Sequence, residues 1–443
     1  MKNLNIAMIA MSGIRACDTE LLEMGLTLPG FIERSKVIAS LPSLGLLTLA
    51  GMTPKRHTVQ YFEVSDLENA PSGDDLAGFD LVAISSLSAQ IPDAYKLADT
   101  IRSSGMAVVM GGLHVSSMPE EAAAHCDSVV VGEGESQWLK VLKDAEQGQL
   151  KQYYRSNSNF LLQDAPMPAF ELLDMDKYNR ITVQTARGCP HRCEFCASSV
   201  LLTSRYKQKP MDKVLAEIDK IISLWKRPFI ELADDNSFVN RSYWKKLLPE
   251  LAKRNIRWFT ETDISIADDS EFLTLLQRAG CVQVLIGLES PDSGGLSGLE
   301  LKQNWKAKRQ PDYIRAIKTI QSHGISVNGC FILGMDTHDG DVFDRVRDYV
   351  EQAGLHEVQI TIQTPFPGTP LYQRLARENR LLDPEAWEKC TLFDINFMPR
   401  HMGVKELKSR FHKLTSQLYS KAATDRRKRV FRKQYKMFRQ AAC

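Results

Sequence analysis

Short apolar, β-rich runs alternate with helical patterns along most of the 443 residues, and this alternation restricts the chain to folds built on parallel sheets. In the front part the runs fall at 6–10, 58–64, 81–85, 107–110 and 128–131, with helical stretches such as 93–104 between them. Runs of this kind are buried on both faces, so they predict an α/β, doubly wound, Rossmann-like domain over residues 1–150. Ligands of such sheets sit at the carboxyl ends of the strands. Those ends carry Ser85-Ser86-Leu87-Ser88, Gly111-Gly112-Leu113-His114 and Gly132-Glu133-Gly134-Glu135. Small residues there admit a ligand to backbone N–H groups, which makes Ser85, Ser86, Gly111, Gly112, Gly132 and Glu133 candidate binding residues. Glycine is also what the turns of any α/β domain need, so the strand ends alone decide nothing.

Residues 151–180 are polar, contain Pro166 and Pro168, and show no clear period, which reads as a linker crossing the surface. A second strand–helix series follows over 181–385. Its strands are expected at 181–185, 229–232, 258–262, 282–287, 327–333 and 358–364, separated by amphipathic helices such as 212–225 and 269–279. Six β/α units make a partial or complete barrel, with its active site at the C-terminal ends of the strands. Residues 386–443 read as a helical C-terminal region in which Phe431, Tyr435 and Phe438 share one face.

Composition narrows the class further. With 43% hydrophobic and 25% charged residues the chain is an ordinary globular one, neither disordered nor a disulfide scaffold. It holds no apolar run of about 18 residues and opens directly on a strand, so a cytoplasmic protein without a transmembrane segment is expected. Lys+Arg 56 against Asp+Glu 54 conceals one basic tail: residues 421–443 hold nine Lys/Arg and a single acid, Asp425. Such a tail suits an anionic surface, or else packs through its aromatic face and leaves its charges in water.

Six of the nine cysteines are isolated, while Cys189, Cys193 and Cys196 fall in Arg187-Gly188-Cys189-Pro190-His191-Arg192-Cys193-Glu194-Phe195-Cys196, directly after the first barrel strand. Three thiolates on one loop can hold three irons of a [4Fe–4S] cluster and leave the fourth open. A zinc site would need a fourth ligand, for which only His191 lies near in sequence.

The C-x3-C-x2-C spacing, with an aromatic before the last cysteine, resembles the shared motif of the radical S-adenosylmethionine (SAM) superfamily. The resemblance implies that SAM chelates the open iron and that an electron from the cluster cleaves it to methionine and a 5′-deoxyadenosyl radical. It also implies an electron donor such as flavodoxin or ferredoxin. Further strand ends look like SAM-contacting positions: Asp234 and Asp235 after the second strand, Glu261 after the third, Glu289 after the fourth, and Gly334 in Gly329-Cys330-Phe331-Ile332-Leu333-Gly334-Met335 after the fifth. Each of these acids is also an ordinary helix cap or solvated group.

The front domain, with Leu41-Pro42-Ser43-Leu44-Gly45-Leu46-Leu47 and the strand ends quoted above, resembles the cobalamin-binding domain of one radical SAM branch. The D-x-H-x-x-G motif that supplies an axial histidine elsewhere is absent, since His57, His114 and His125 stand in other contexts. Cobalamin without a histidine ligand is therefore implied. The resemblance points to a methyltransferase acting on an unactivated carbon of a small or lipid-like molecule. The other readings are a cyclase or oxidoreductase of the same branch without methyl transfer, with or without bound cobalamin, since the front domain could keep the fold and have lost the cofactor, and a non-catalytic carrier of cluster or cobalamin.

Overall fold

A run that is apolar at every position needs cover on both faces, and β1 (Asn5–Met11) finds it by sending alternate side chains into different cores. Ala7, Ile9 and Met11 pack with helix Ile91–Ser103, while Ile6, Met8 and Ala10 pack with helices Leu44–Met52 and Trp138–Glu146. In this computed structural model, which describes residues 2–12, 16–24, 41–71, 73, 75–157, 160–198, 201 and 205–441 and side chains as far as 436, β1 lies inside a parallel sheet of six strands. Its other members are β2 (Thr58–Val64), β3 (Leu81–Ser85), β4 (Ala107–Gly111), β5 (Ser128–Val131) and β6 (Tyr153–Arg155), in the order β2-β1-β3-β4-β5-β6. The order reverses between β1 and β3, the point at which doubly wound sheets bind ligands.

The stretch 151–180 differs from the expected surface linker. Tyr153–Arg155 is the edge strand of the front sheet, and Phe170 is fully buried. The Ala169 N–H donates to Leu47 O at 2.9 Å, and a Cβ on Gly51 would fall 1.8 Å from Met167 O. The segment is thus packed into a helix of the front domain at a position only glycine permits.

The second sheet also has six parallel strands: β7 (Ile181–Val183), β10 (Phe229–Leu232), β11 (Arg257–Thr262), β12 (Cys281–Glu289), β13 (Ser326–Leu333) and β14 (Glu357–Ile362), with each strand next to its successor in this series. β7 and β14 stand at the two edges of the sheet and do not pair with each other, so the barrel is partial. A two-stranded ribbon of β8 (Ala186–Arg187) and β9 (Lys207–Gln208) stands after β7. Helices Val404–Tyr419 and Lys421–Ala441 close the chain. Phe431 stacks on His356 with ring centroids 4.3 Å apart, and Tyr435 packs on Gly324, so the last helix docks by its aromatic face. The side chain of Phe438 lies outside the described ones, as does Cys443. Among the described residues no helix is long and apolar enough to cross a membrane.

The turn into β12 shows how tightly the barrel is drawn. Gly280 has φ +89, and a Cβ there would meet Ile256 O at 1.9 Å; Gly78 has nearly the same φ, +91, but open space. Gly78→Ala should cost about 1–2 kcal/mol of backbone strain alone. Gly280→Ala adds the clash and should cost about 3 kcal/mol or more. Urea unfolding of both variants checks this, and equal losses would contradict the contact.

Candidate active site

The cysteine loop is an excursion that the ribbon closes, and the ribbon sets Arg187 directly opposite Lys207. Two cations so placed repel. Glu133, at the end of β5 in the front sheet, lies between them: Arg187 Nη1 donates to its carboxylate at 3.0 Å, and Lys207 Nζ at 2.7 and 2.9 Å. Arg187 Nη2 also donates to Glu135 at 2.6 Å. Glu133 was a candidate cofactor residue, and its carboxylate is spent on this contact between the two halves of the chain.

Further bonds fix the loop. The Gly188 N–H donates to Asp235 at 2.6 Å, the Glu194 N–H to Leu299 O at 2.9 Å, and the Leu301 N–H to Arg192 O at 3.1 Å. On its other side the Leu371 N–H donates to Glu194 O at 3.1 Å, and Arg374 forks the Glu194 carboxylate at 2.8 and 3.2 Å. Cys189, Cys193 and Cys196 line a cavity of about 340 Å³ at the C-terminal ends of the barrel strands. Burial pushes the Cys189 thiol up to about 11 and the Cys193 thiol up to about 12; a bound metal centre, being positive, reverses that preference.

His191 supplies no fourth ligand. Its Nδ1 faces Glu300 at 3.1 Å, its Nε2 faces Asp263 at 3.2 Å, and its ring lies 4.5 Å from that of Trp305. Nor do the thiols converge on one point. Among the described residues the set of Cys, His, Asp and Glu donors gathered within 4.8 Å is Asp18, Glu20 and His412, away from the loop. Spaced thiols with an open side suit a polynuclear iron–sulfur centre rather than a single ion.

The expected barrel residues divide. Asp234 is 4% exposed and saturated: it accepts from the N–H groups of Thr185 (2.7 Å) and Ala186 (2.9 Å) and from the hydroxyls of Thr185 and Ser237. It holds two strand ends together and does not line the cavity. Asp235 does line it. Glu261 projects into the cavity, where its side chain stays open to water and makes no hydrogen bond among the described residues; its place among the barrel walls, and then the nearby Glu231, Asp235, Asp234 and Glu289, push its carboxyl up to about 8. Glu289 sits at a break in the β12–β13 register with φ +62, in ion pairing with Lys306, whose Nζ also donates to Gly287 O at 3.2 Å. Burial disfavours the Lys306 charge, and Glu289 overcomes that and holds it. Gly334 is a packing glycine, with φ +88 and Phe397 where a Cβ would be, and is not part of the cavity wall. Asp263 is likewise opposed by burial, yet hydrogen bonds from His191, Ser265 and Asn236 hold it well below the usual carboxylate range.

A second cavity, also about 340 Å³, opens at the strand ends of the front sheet. Ser85, Gly111, Gly112, Gly132 and Glu133 line it, whereas Ser86 is buried and donates to Leu87 O at 2.9 Å. A Cβ on Gly112 would press on Ser85 Oγ at 3.2 Å, and one on Gly45 would meet nothing within 4 Å, so the wall keeps room for a broad ligand. No histidine is among its lining residues. His114 is buried against Trp387 and faces Glu121 at 3.2 Å, His57 accepts from the Leu4 N–H, and His125 faces Asp99. The cavity therefore suits cobalamin without histidine ligation. Ser198 and Asp235 belong to the walls of both cavities.

Trp305, Lys306 and Gln363 are among the lining residues that escaped the sequence reading. Trp305 and Lys306 lie in 301–309, where four cations and no acid were the available signal. Gln363, with its amide oxygen buried and unpartnered at the cavity wall, gave none.

Residues 183–349 match the radical SAM superfamily, 35–141 a B12 binding domain, and 369–442 a domain of unknown function, DUF4070. The chain is 28% identical over 393 residues to the bacteriochlorophyllide d C-12(1)-methyltransferase of Chlorobaculum tepidum, covering 87% of this chain and 84% of that one. It is 27% identical over 375 residues to the hopanoid C-2 methylase of Rhodopseudomonas palustris, covering 82% and 69%. It is 24% identical over 337 residues to the anaerobic magnesium-protoporphyrin IX monomethyl ester cyclase of Rubrivivax gelatinosus, covering 68% and 60%. In fold it is similar to the radical SAM methyltransferase TsrM of Kitasatospora setae, solved with cobalamin and a [4Fe–4S] cluster, with a TM-score of 0.68 at 14% identity over 96% of this chain and 90% of that one.

The carboxyl of Glu261 gives a test that needs no cofactor. Its pKa is raised from 4.5 to about 8, so across that window the folded protein holds a proton that the unfolded chain has released. Stability contributed at this site therefore falls as pH rises from 4.5 to about 8. Glu261→Gln lacks the penalty and should gain stability relative to wild type over the same window, by a small amount because water in the cavity screens the charge, measured by urea unfolding at several pH values. A pH-independent difference would show an ordinary carboxylate there.

Proposed function

The chain belongs to the radical SAM superfamily, in the branch with a B12-binding domain ahead of the barrel, and from that premise we propose that it is a methyltransferase acting on an unactivated carbon of a small or lipid-like molecule. The observation that carries this reading is the meeting of two cavities at Ser198 and Asp235. A methyl carrier in the front cavity is thereby set against the compartment where a substrate radical would form. When bound, the cluster and cobalamin supply the electron that cleaves SAM and a carrier for its methyl group.

The chain's own residues position and enclose these groups. Cys189, Cys193 and Cys196 hold the cluster. Asp235, braced by the Gly188 N–H and Ser198, orients the loop at the border of the cavities. Glu261 offers an unpaired acceptor to the amine or ribose of SAM, and Lys306, kept charged by Glu289, offers a cation to its carboxylate. Ser85, Gly111, Gly112 and Gly132 leave room for the corrin. The small or lipid-like substrate follows from the pigment and hopanoid methylating relatives. An electron donor such as flavodoxin or ferredoxin completes the reaction, and the outward cations of the last helix suit an anionic surface.

A second reading, cyclisation without methyl transfer, is favoured by the likeness to the monomethyl ester cyclase. One experiment separates them. Reconstituted anaerobically with substrate, a methyltransferase should form S-adenosylhomocysteine and 5′-deoxyadenosine in about equal amounts. Deoxyadenosine without S-adenosylhomocysteine would promote the cyclase, and neither product under reduction would leave a carrier.

A further inference from the structure

The cysteine loop has an inner side at the cavity and an outer side at the surface. Residues 298–309 run from the surface to the cavity wall: Glu300 pairs with Cys193 in a β-bridge and the Leu301 N–H donates to Arg192 O, while Trp305, on His191, and Lys306 face the cavity. Pro190 is exposed, and Leu301 keeps 44% of its surface in water. Residues 301–309 hold four cations and no acid. Two of these are neutralised, Lys306 by Glu289 and Arg309 by Asp268. Lys302 and Lys308 are exposed, and among the described residues neither has an acidic partner. The nearby acids are taken: Glu194 by Arg374, and Glu300 by His191 and the Lys306 N–H.

We propose that this surface, with Pro190 and Leu301 at its centre and Lys302 and Lys308 beside them, docks a small acidic protein that carries single low-potential electrons. The proposal rests on the reading of the three cysteines as holders of an iron–sulfur centre. Electron transfer through protein weakens steeply with distance, so a donor has to reach the ligand-bearing loop itself. The inner approach is enclosed by barrel and front domain, which meet at Ser198 and Asp235. On the outer side, Leu301 is hydrogen-bonded to the loop and adjoins the residue bridged to Cys193. An apolar centre beside unpaired lysines complements a redox protein whose cofactor edge is ringed by carboxylates. A patch this small fits a transient electron-transfer encounter, which buries less than about 1,200 Å². The step is the passage of one electron: the carrier is oxidised, the group held by Cys189, Cys193 and Cys196 is reduced, and no bond is made or broken.

The test uses the full-length reconstituted protein, its K302E/K308E variant, and flavodoxin reduced by NADPH and flavodoxin reductase. Titration calorimetry should show flavodoxin binding weakened about tenfold in the variant, and the flavodoxin concentration for half-maximal deoxyadenosine formation should rise alike. Dithionite-driven deoxyadenosine formation and the thermal melt should match wild type. Wild-type binding should weaken as salt is added. Unchanged flavodoxin affinity in the folded variant, or salt-independent binding by wild type, would overturn the proposal. Should the charge reversal unfold the protein, K302Q/K308Q decides by the same titration. Wild type that binds flavodoxin but makes no deoxyadenosine with dithionite would overturn the premise about the cysteines, a result distinct from failure of the surface.

Discussion

One carboxylate from the front sheet lets the cysteine loop close. Arg187 and Lys207 face each other across the ribbon at the foot of the loop, and the pairing is tolerable because Glu133, with Glu135 beside it, is held between them. The Glu133 side chain is 3% exposed, so this is a buried charge cluster. Clusters of that kind add little net stability, because desolvation consumes most of the Coulombic gain, but removing one partner costs about 3–5 kcal/mol. Its effect is geometric. The two six-stranded sheets are locked with the carboxyl ends of their strands facing, and the loop hangs at the junction.

The barrel cavity carries its own imbalance. Asp235, Glu261, Asp263 and Glu289 share its wall with two cations, Arg192 and Lys306, and the Glu261 carboxyl makes no hydrogen bond among the described residues. Glu289 takes a left-handed conformation at a strand irregularity to reach Lys306. Strain and unpartnered polar groups of this sort persist where binding, not folding, selects the residue. Asp234, one residue before Asp235, illustrates the opposite case: every bond it makes is to the frame.

Much of this was legible in the sequence because each signal was local. Apolar runs without alternation gave the buried parallel strands, and three cysteines in eight residues gave the loop. The nature of each strand-end acid was not legible, since neighbours such as Asp234 and Asp235 differ only in which way the chain turns after β10. By sequence Gly334 resembles a cofactor contact, but its missing Cβ makes room for Phe397, more than 60 residues on. Tyr153–Arg155 was missed as a strand because three residues carry no period. The function of Glu133 depends on Arg187 and Lys207, both in the other domain, and no local pattern reports such a contact.

In the proposed function the two cavities form one reaction chamber, with a corrin on one side and the cluster on the other. The most direct measurement is electron paramagnetic resonance of the reconstituted protein carrying cob(II)alamin and the reduced cluster together. The account predicts that the two paramagnetic centres broaden each other's signals by dipolar coupling within one chain, with no nitrogen splitting from a histidine on cobalt. Two undisturbed, superimposed spectra at full occupancy of both sites, or a cobalt signal split by histidine nitrogen, would contradict it.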